Sequence, residues 1–161
     1  WTAFKSGGGE ELSAATLVDI RANVVHATAT AAQYADLAER YATDTPVETG
    51  EVVSLGGKEE ITKCMDDKSD AVFGVVSDHP AYLMNSEAGN NDTHPAIALK
   101  GRVPVKVTGK GSAGDRIVSG SYGTARVAQP GEATNFNTLG RLIKDKYNEE
   151  TALTECVVGV K

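Results

Sequence analysis

Asp36 and Glu39 are the residues of this chain best placed to do acid–base chemistry. On a helix their spacing would put both carboxylates on one face, and such a pair can serve as general acid and base when one pKa is raised and the other left low. A second reading stands beside it: the two cap the segment or ion-pair locally, with Arg40 as one partner. The other chemistry-bearing residues are scattered. Ser77 and Ser86 have no His/Asp set around them to activate a hydroxyl. Cys64 and Cys156 lie far apart, too few for a disulfide framework and without the further ligands a zinc site needs. Two free thiols are expected, as in a reducing cytoplasm. His26, His79 and His94 form no cluster in sequence, and neither metal nor cofactor is expected.

Gly109–Gly114 reads G-x-G-x-x-G. A dinucleotide site would require a strand before it and a helix after it, whose N-terminus could hold a phosphate. Asp115–Gly123 reads as strand and turn, so a hairpin turn is expected. Asn91-Asp92-Thr93 is a glycosylation sequon, relevant only in a secretory pathway. Lys100, Arg102, Lys106 and Lys110 alternate along one strand-like segment. They form either a basic stripe facing an anionic glycan or the solvated face of a half-buried strand.

The chain has 161 residues, enough for one ordinary domain with an appendage. Aromatics make up only 6%, so the core must lean on Val, Ile, Leu and Ala. The formal net charge of -6 repels phosphates, and no dense Lys/Arg run overrides it, so a nucleic-acid partner is not expected. No apolar run is long enough to span a bilayer as a helix, and Trp1–Lys5 lacks the basic start and apolar core of a secretory leader. Membrane insertion is not expected.

These residues must be positioned by short elements. Ser6–Gly9 is a break, and Ile20–Thr30 alternates with a slip at Val24-Val25, as a bulged strand would. Ala27–Ala32 is small in side-chain volume, suited to chains meeting at a common axis. Tyr34, Leu37, Ala38 and Tyr41 fall on one helical face, with Asp36 and Arg40 as an i, i+4 pair; an irregular packed segment competes with that helix. Beyond Asp44, strand follows strand: Glu51–Leu55, its hairpin partner Lys58–Lys63, and Val72–Val76, apolar enough to be buried on both faces. Asn85–Pro95 is a polar insertion. Ile97–Leu99 and Val103–Val107 follow, with Gly101 and Pro104 marking a kink or edge. Arg116–Val118, Gly123–Val127, Leu139–Ile143 and Leu153–Val158 complete the set. The fold expected is mainly β: a compact small barrel or sandwich of short strands, with an extended N-terminal segment and at most one or two short helices. Residues 1–33 read as a stem and 34–161 as the β-rich domain.

The series Tyr34–Tyr41, Val47–Val53, Phe73–Ser77, Pro80–Ser86, Leu99–Val107 and Ala113–Val118 resembles, in that order, the C-terminal domain of tail-fibre and related virion structural proteins of tailed bacteriophages, marine phages especially. The likeness runs from about Ala31 to the C-terminus. It implies a virion component, assembled in the host cytoplasm, that registers a homotrimer, joins other tail or appendage proteins and contributes to attachment at a host-surface glycan or protein. Tyr34, Asp36, Leu37, Glu39, Arg40 and Tyr41 are its motif residues. The loops most able to face a receptor carry Asp67, Ser69, Asn90, Asn91, Asp92 and Tyr122, since function concentrates on loops held by a rigid scaffold. The chain is more weakly similar to self-cleaving chaperone domains of phage tailspikes, which implies an alternative, an intramolecular chaperone in which Asp36 and Glu39 would assist cleavage upstream. Those domains cut at a serine; Thr28-Ala29-Thr30-Ala31-Ala32-Gln33-Tyr34 has none, so the chain is expected to stay intact. No other enzymatic activity is expected, and a hydrolase acting on the host envelope finds no catalytic set here.

Overall fold

The computed structural model describes residues 35–161. The bulged strand of Ile20–Thr30, the Ala27–Ala32 stretch, the 1–33 stem and Tyr34 lie outside the described residues. Within them every regular element is a strand: β1 (Asp36–Arg40), β2 (Val52–Leu55), β3 (Ile61–Lys63), β4 (Val72–Val76), β5 (Tyr82–Met84), β6 (Ala96–Thr108), β7 (Arg116–Ser119), β8 (Ala125–Val127), β9 (Thr138–Leu142) and β10 (Ala152–Val158).

The long strand β6 organises both halves of the fold. Its C-terminal part pairs antiparallel with β10 from Gly101 to Val107 and parallel with β8 at Val107 and Thr108. β10 pairs with β9, β9 with β7, and β7 with β8, so β6-β10-β9-β7-β8 closes into a five-stranded barrel. The N-terminal part of β6 pairs with β4 and β1, giving a second run of strands in the order β3-β2-β4-β6-β1-β5. The two segments expected on either side of Gly101 are therefore one continuous strand, with Gly101 at φ +114° and Leu99 as an extra residue opposite β1.

Alternation along three adjacent strands supplies two cores. Val52, Val75 and Ala98 face one cluster together with Val103, Val105, Val107, Ile117 and Leu142, the barrel interior. Their neighbours Val53, Val76 and Ile97 face the other way, with Ile61, against Tyr41, Val47 and Phe73. The period of two sends successive residues to opposite faces, so a strand covered on both sides reads as the unbroken apolar run seen at Val72–Val76. Cys64 and Cys156 are buried free thiols in the first cluster.

One element overturns its expectation. Leu37, Ala38 and Tyr41 do not form a helix face; β1 is a strand held between β5 and β6. At about 3.3 Å per residue Asp36 and Arg40 stand far apart, out of reach of each other. Helical spacing in so short a window is outweighed by ladders on both sides. Tyr41 packs edge-on against Phe73, ring centroids 5.1 Å apart.

Candidate functional site

The start of β1 is drawn tightly into the fold. The Arg102 N–H donates to the Ala35 carbonyl at 3.2 Å, and the Ala81 N–H donates to the Asp36 carbonyl at 2.9 Å. Gly101 makes this approach possible: a Cβ there would collide with the Ala35 carbonyl oxygen and lie 3.0 Å from the Asp36 Cα. A cavity of about 460 Å³ opens at this point. Asp36 and Ala35 line it with Ser77, Asp78 and His79 from the end of β4, and Arg102, Val103 and Pro104 from β6; Leu153 and Glu155 of β10 and Thr49 complete the wall.

The charges in this wall are partly matched. Arg102 reaches Glu155 at 3.4 Å, and His79 Nδ1 stands 3.0 Å from Asp78 Oδ2. Asp36 differs from them. Its residue is 4% exposed, and its Oδ2 is buried without a hydrogen-bond partner among the described residues. A buried carboxylate oxygen left unpaired is costly, so this atom is poised to accept a donor.

The strand separates the two carboxylates. Three positions apart on β1, Asp36 and Glu39 fall on opposite faces. Glu39 Oε2 accepts the Tyr41 hydroxyl at 2.7 Å, and burial together with Glu39 pushes the Tyr41 phenol up to about 12. Arg40 pairs with neither carboxylate; its guanidinium donates to Asn91 Oδ1 at 2.9 Å and the His94 carbonyl at 2.6 Å. Leu37 is half-exposed beside Tyr82, its register partner on β5.

The receptor-facing candidates divide. Asp67 is held by Arg126, and the Ser69 N–H donates to Ser119 Oγ at 2.8 Å. Asn90 Oδ1 accepts the N–H groups of Asp92 and Thr93, and Asn91 is tied to Arg40. These four have structural partners. Asp92 and Tyr122 remain exposed; Tyr122, at φ +56°, is 73% exposed and shares a shallow depression with Asp67, Ser121 and Arg126.

The basic stripe is largely neutralised. Lys106 Nζ lies 2.6 Å from Glu48 and 3.3 Å from Glu51, and Lys110 lies 3.3 Å from Glu149. Burial works against the Lys106 charge, yet the two glutamates hold its pKa above the ordinary value. This is the solvated face of a half-buried strand. Gly109–Gly114 is a turn from β6 to β7, with Gly109 and Gly114 at positive φ, and no helix follows it. Among the described residues no His, Cys, Asp or Glu cluster could hold a metal ion.

Sequence reasoning missed the buried Lys146, whose Nζ donates to the Asn148 carbonyl and Oδ1 and to the Glu150 carbonyl at 2.6–2.8 Å. It also missed the walls that Ser77–His79 and Arg102 bring to Asp36. Their segments are distant in sequence, and no local pattern announces their meeting.

No family model and no curated protein matches the chain. Among solved structures it is similar to the pre-mature gene product 12 of bacteriophage phi29, at a TM-score of 0.60 and 16% identity, over 86% of this chain and 23% of that one. The likeness shows a shared fold, and this chain spans less than a quarter of its neighbour.

Proposed function

We propose that this chain carries the terminal domain of a tail fibre or related appendage of a tailed-phage virion, where it registers three identical chains and contributes to host-surface attachment. The observation that carries this reading is the fold shared with phi29 gene product 12, a phage protein, over most of the chain. The ordered resemblance from Tyr34 to Val118 supports it from the sequence side. Physically, β5 is a three-residue strand that, among the described residues, pairs only with β1, and its exposed Tyr82 stands beside Leu37. An open edge with an apolar pair next to it suits coverage by a neighbouring chain.

Light scattering on a chain extended upstream of Trp1 tests the trimer: three times the chain mass is expected, and a stable monomer at micromolar concentration sinks it. Competition by the purified domain against phage adsorption tests attachment.

A second reading is favoured by one specific feature. The buried Asp36 carboxylate, whose Oδ2 has no hydrogen-bond partner among the described residues, lies at the start of β1, downstream of the segment that an intramolecular chaperone would help to cleave. Mass spectrometry of the extended precursor separates the two readings. The fibre reading expects no cut between Ala27 and Tyr34; a cut there that Asp36→Asn abolishes establishes the chaperone.

A further inference from the structure

We propose that the cavity beside Asp36 is a binding site for an alkylammonium group, such as a lysine side chain or a free primary amine. This inference holds for the intact chain and rests on neither reading of the virion role. Three observations on the cavity carry it.

The first is Asp36 itself. Asp36 lines a cavity of about 460 Å³, a volume in the range that ligand sites occupy, and its buried Oδ2 has no hydrogen-bond partner among the described residues. An unpaired buried carboxylate oxygen gains most from a donor that carries a positive charge. The second is the charge balance. Arg102 is matched by Glu155, while Asp78 stands beside His79, a contact that is an ion pair only when the imidazole is protonated, so with Asp36 the wall carries an excess of carboxylate charge. The third is the apolar surface. Pro104 and Leu153 lie in the same lining, both exposed, and can cover a methylene stem while the charged end reaches the carboxylate.

The geometry also distinguishes among cations. Oδ2 is the buried oxygen without a partner among the described residues, and a point-like ammonium needs no second acceptor beside it. A guanidinium presents a planar fork that is best met by two acceptors. The ammonium is therefore the better fit.

NMR titration of the full chain with N-acetyl-lysine-N-methylamide, butylammonium, N-acetyl-arginine-N-methylamide and the neutral N-acetyl-norleucine-N-methylamide tests the site. Saturable shifts at the amides of Asp36, Ala81 and Arg102 are expected with the first two probes. Binding at least tenfold weaker is expected with the arginine and norleucine probes, and with Asp36→Asn. Saturation by butylammonium alone assigns the site to free amines; saturation by both admits a polypeptide lysine. Equal binding of norleucine and lysine probes on the unaltered chain overturns the proposal even if Asp36→Asn fails to fold, because the apolar wall alone would then account for binding. Lack of saturation with either amine overturns it as well, and so does an arginine probe that binds as tightly as lysine.

Discussion

Arg126 grips Asp67 with two nearly parallel hydrogen bonds, Nε to Oδ1 at 2.6 Å and a terminal nitrogen to Oδ2 at 2.8 Å. The same guanidinium reaches Glu132 Oε2 at 2.7 Å, and Lys68 joins Glu132 at 3.2 Å. Residues 67, 126 and 132 come from three separate segments, so the cluster ties two loops to β8. Asp67 is thus committed to structure, although its loop reads as a receptor-facing one. Arg126→Met should lower stability by about 1 to 2 kcal/mol, the scale of a charge-assisted fork that is partly solvent-screened. Urea denaturation measures it, and an unchanged midpoint would show that the cluster is ornamental.

Acid should act through the same cluster. Hydrogen bonds from Arg126 hold Asp67 below its ordinary value and lower Glu132 to about 2. A depressed carboxylate contributes stability that is complete above its unfolded pKa and lost as pH falls through the folded one. For Glu132 that window runs from 4.5, its ordinary value, down to about 2. Arg126 stays charged throughout and adds no slope there. Glu132→Gln should flatten the fall in melting temperature across this range; a profile unchanged by the substitution counts against the assignment.

Gly101→Ala should damage the approach of β1 to β6. The residue sits at φ +114°, and its Cβ would meet the Ala35 carbonyl. A cost of roughly 1 to 3 kcal/mol is expected for a side chain forced into that conformation. Hydrogen exchange localises it: the Arg102 amide, which donates to Ala35, should lose protection before the barrel amides do.

Val75 is fully buried in the barrel-facing cluster, and Val75→Ala should cost roughly 1 to 3 kcal/mol through lost burial and incomplete collapse. The insertion carries its own anchors. Replacing residues 87–92 by a Gly-Ser linker removes Asn91 from Arg40 and the Asn90 side chain from three donors, so a loss of about 1 kcal/mol is expected. Chemical denaturation ranks the two variants, and a loop exchange that unfolds the domain would contradict this order.

Lys146→Met should destabilise by roughly 1 to 3 kcal/mol, since it leaves the acceptors at Asn148 and Glu150 without their donor. The effect should appear as faster amide exchange at Gly111 and Lys146, which exchange hydrogen bonds with each other.

The strands with a local signature were legible in the sequence. Val72–Val76 announces double burial by its composition, and the alternation of Val103, Val105 and Val107 is that of one barrel wall. The turn at Gly109–Gly114 could be told from a nucleotide loop because strand residues follow it. β1 was not legible. Leu37, Ala38 and Tyr41 fit a helical period, and what decides their conformation is pairing with residues some sixty positions on. Of the candidate site, Asp36 could be named from its type. Its separation from Glu39 and its meeting with Ser77–His79 and Arg102 depend on tertiary pairing.

The way the chain enters through Ala35 has a mechanical consequence. β1 is flanked by β6 on one side and β5 on the other, with both ladders running along its length. Tension applied at Ala35 along the strand loads these hydrogen bonds in shear, together, where a pull across the strand would open them one at a time. β6 carries that load past Gly101 into the barrel, where its seven-residue pairing with β10 resists it. A pull applied at Ala35 is thus transmitted to the closed barrel through a single continuous strand.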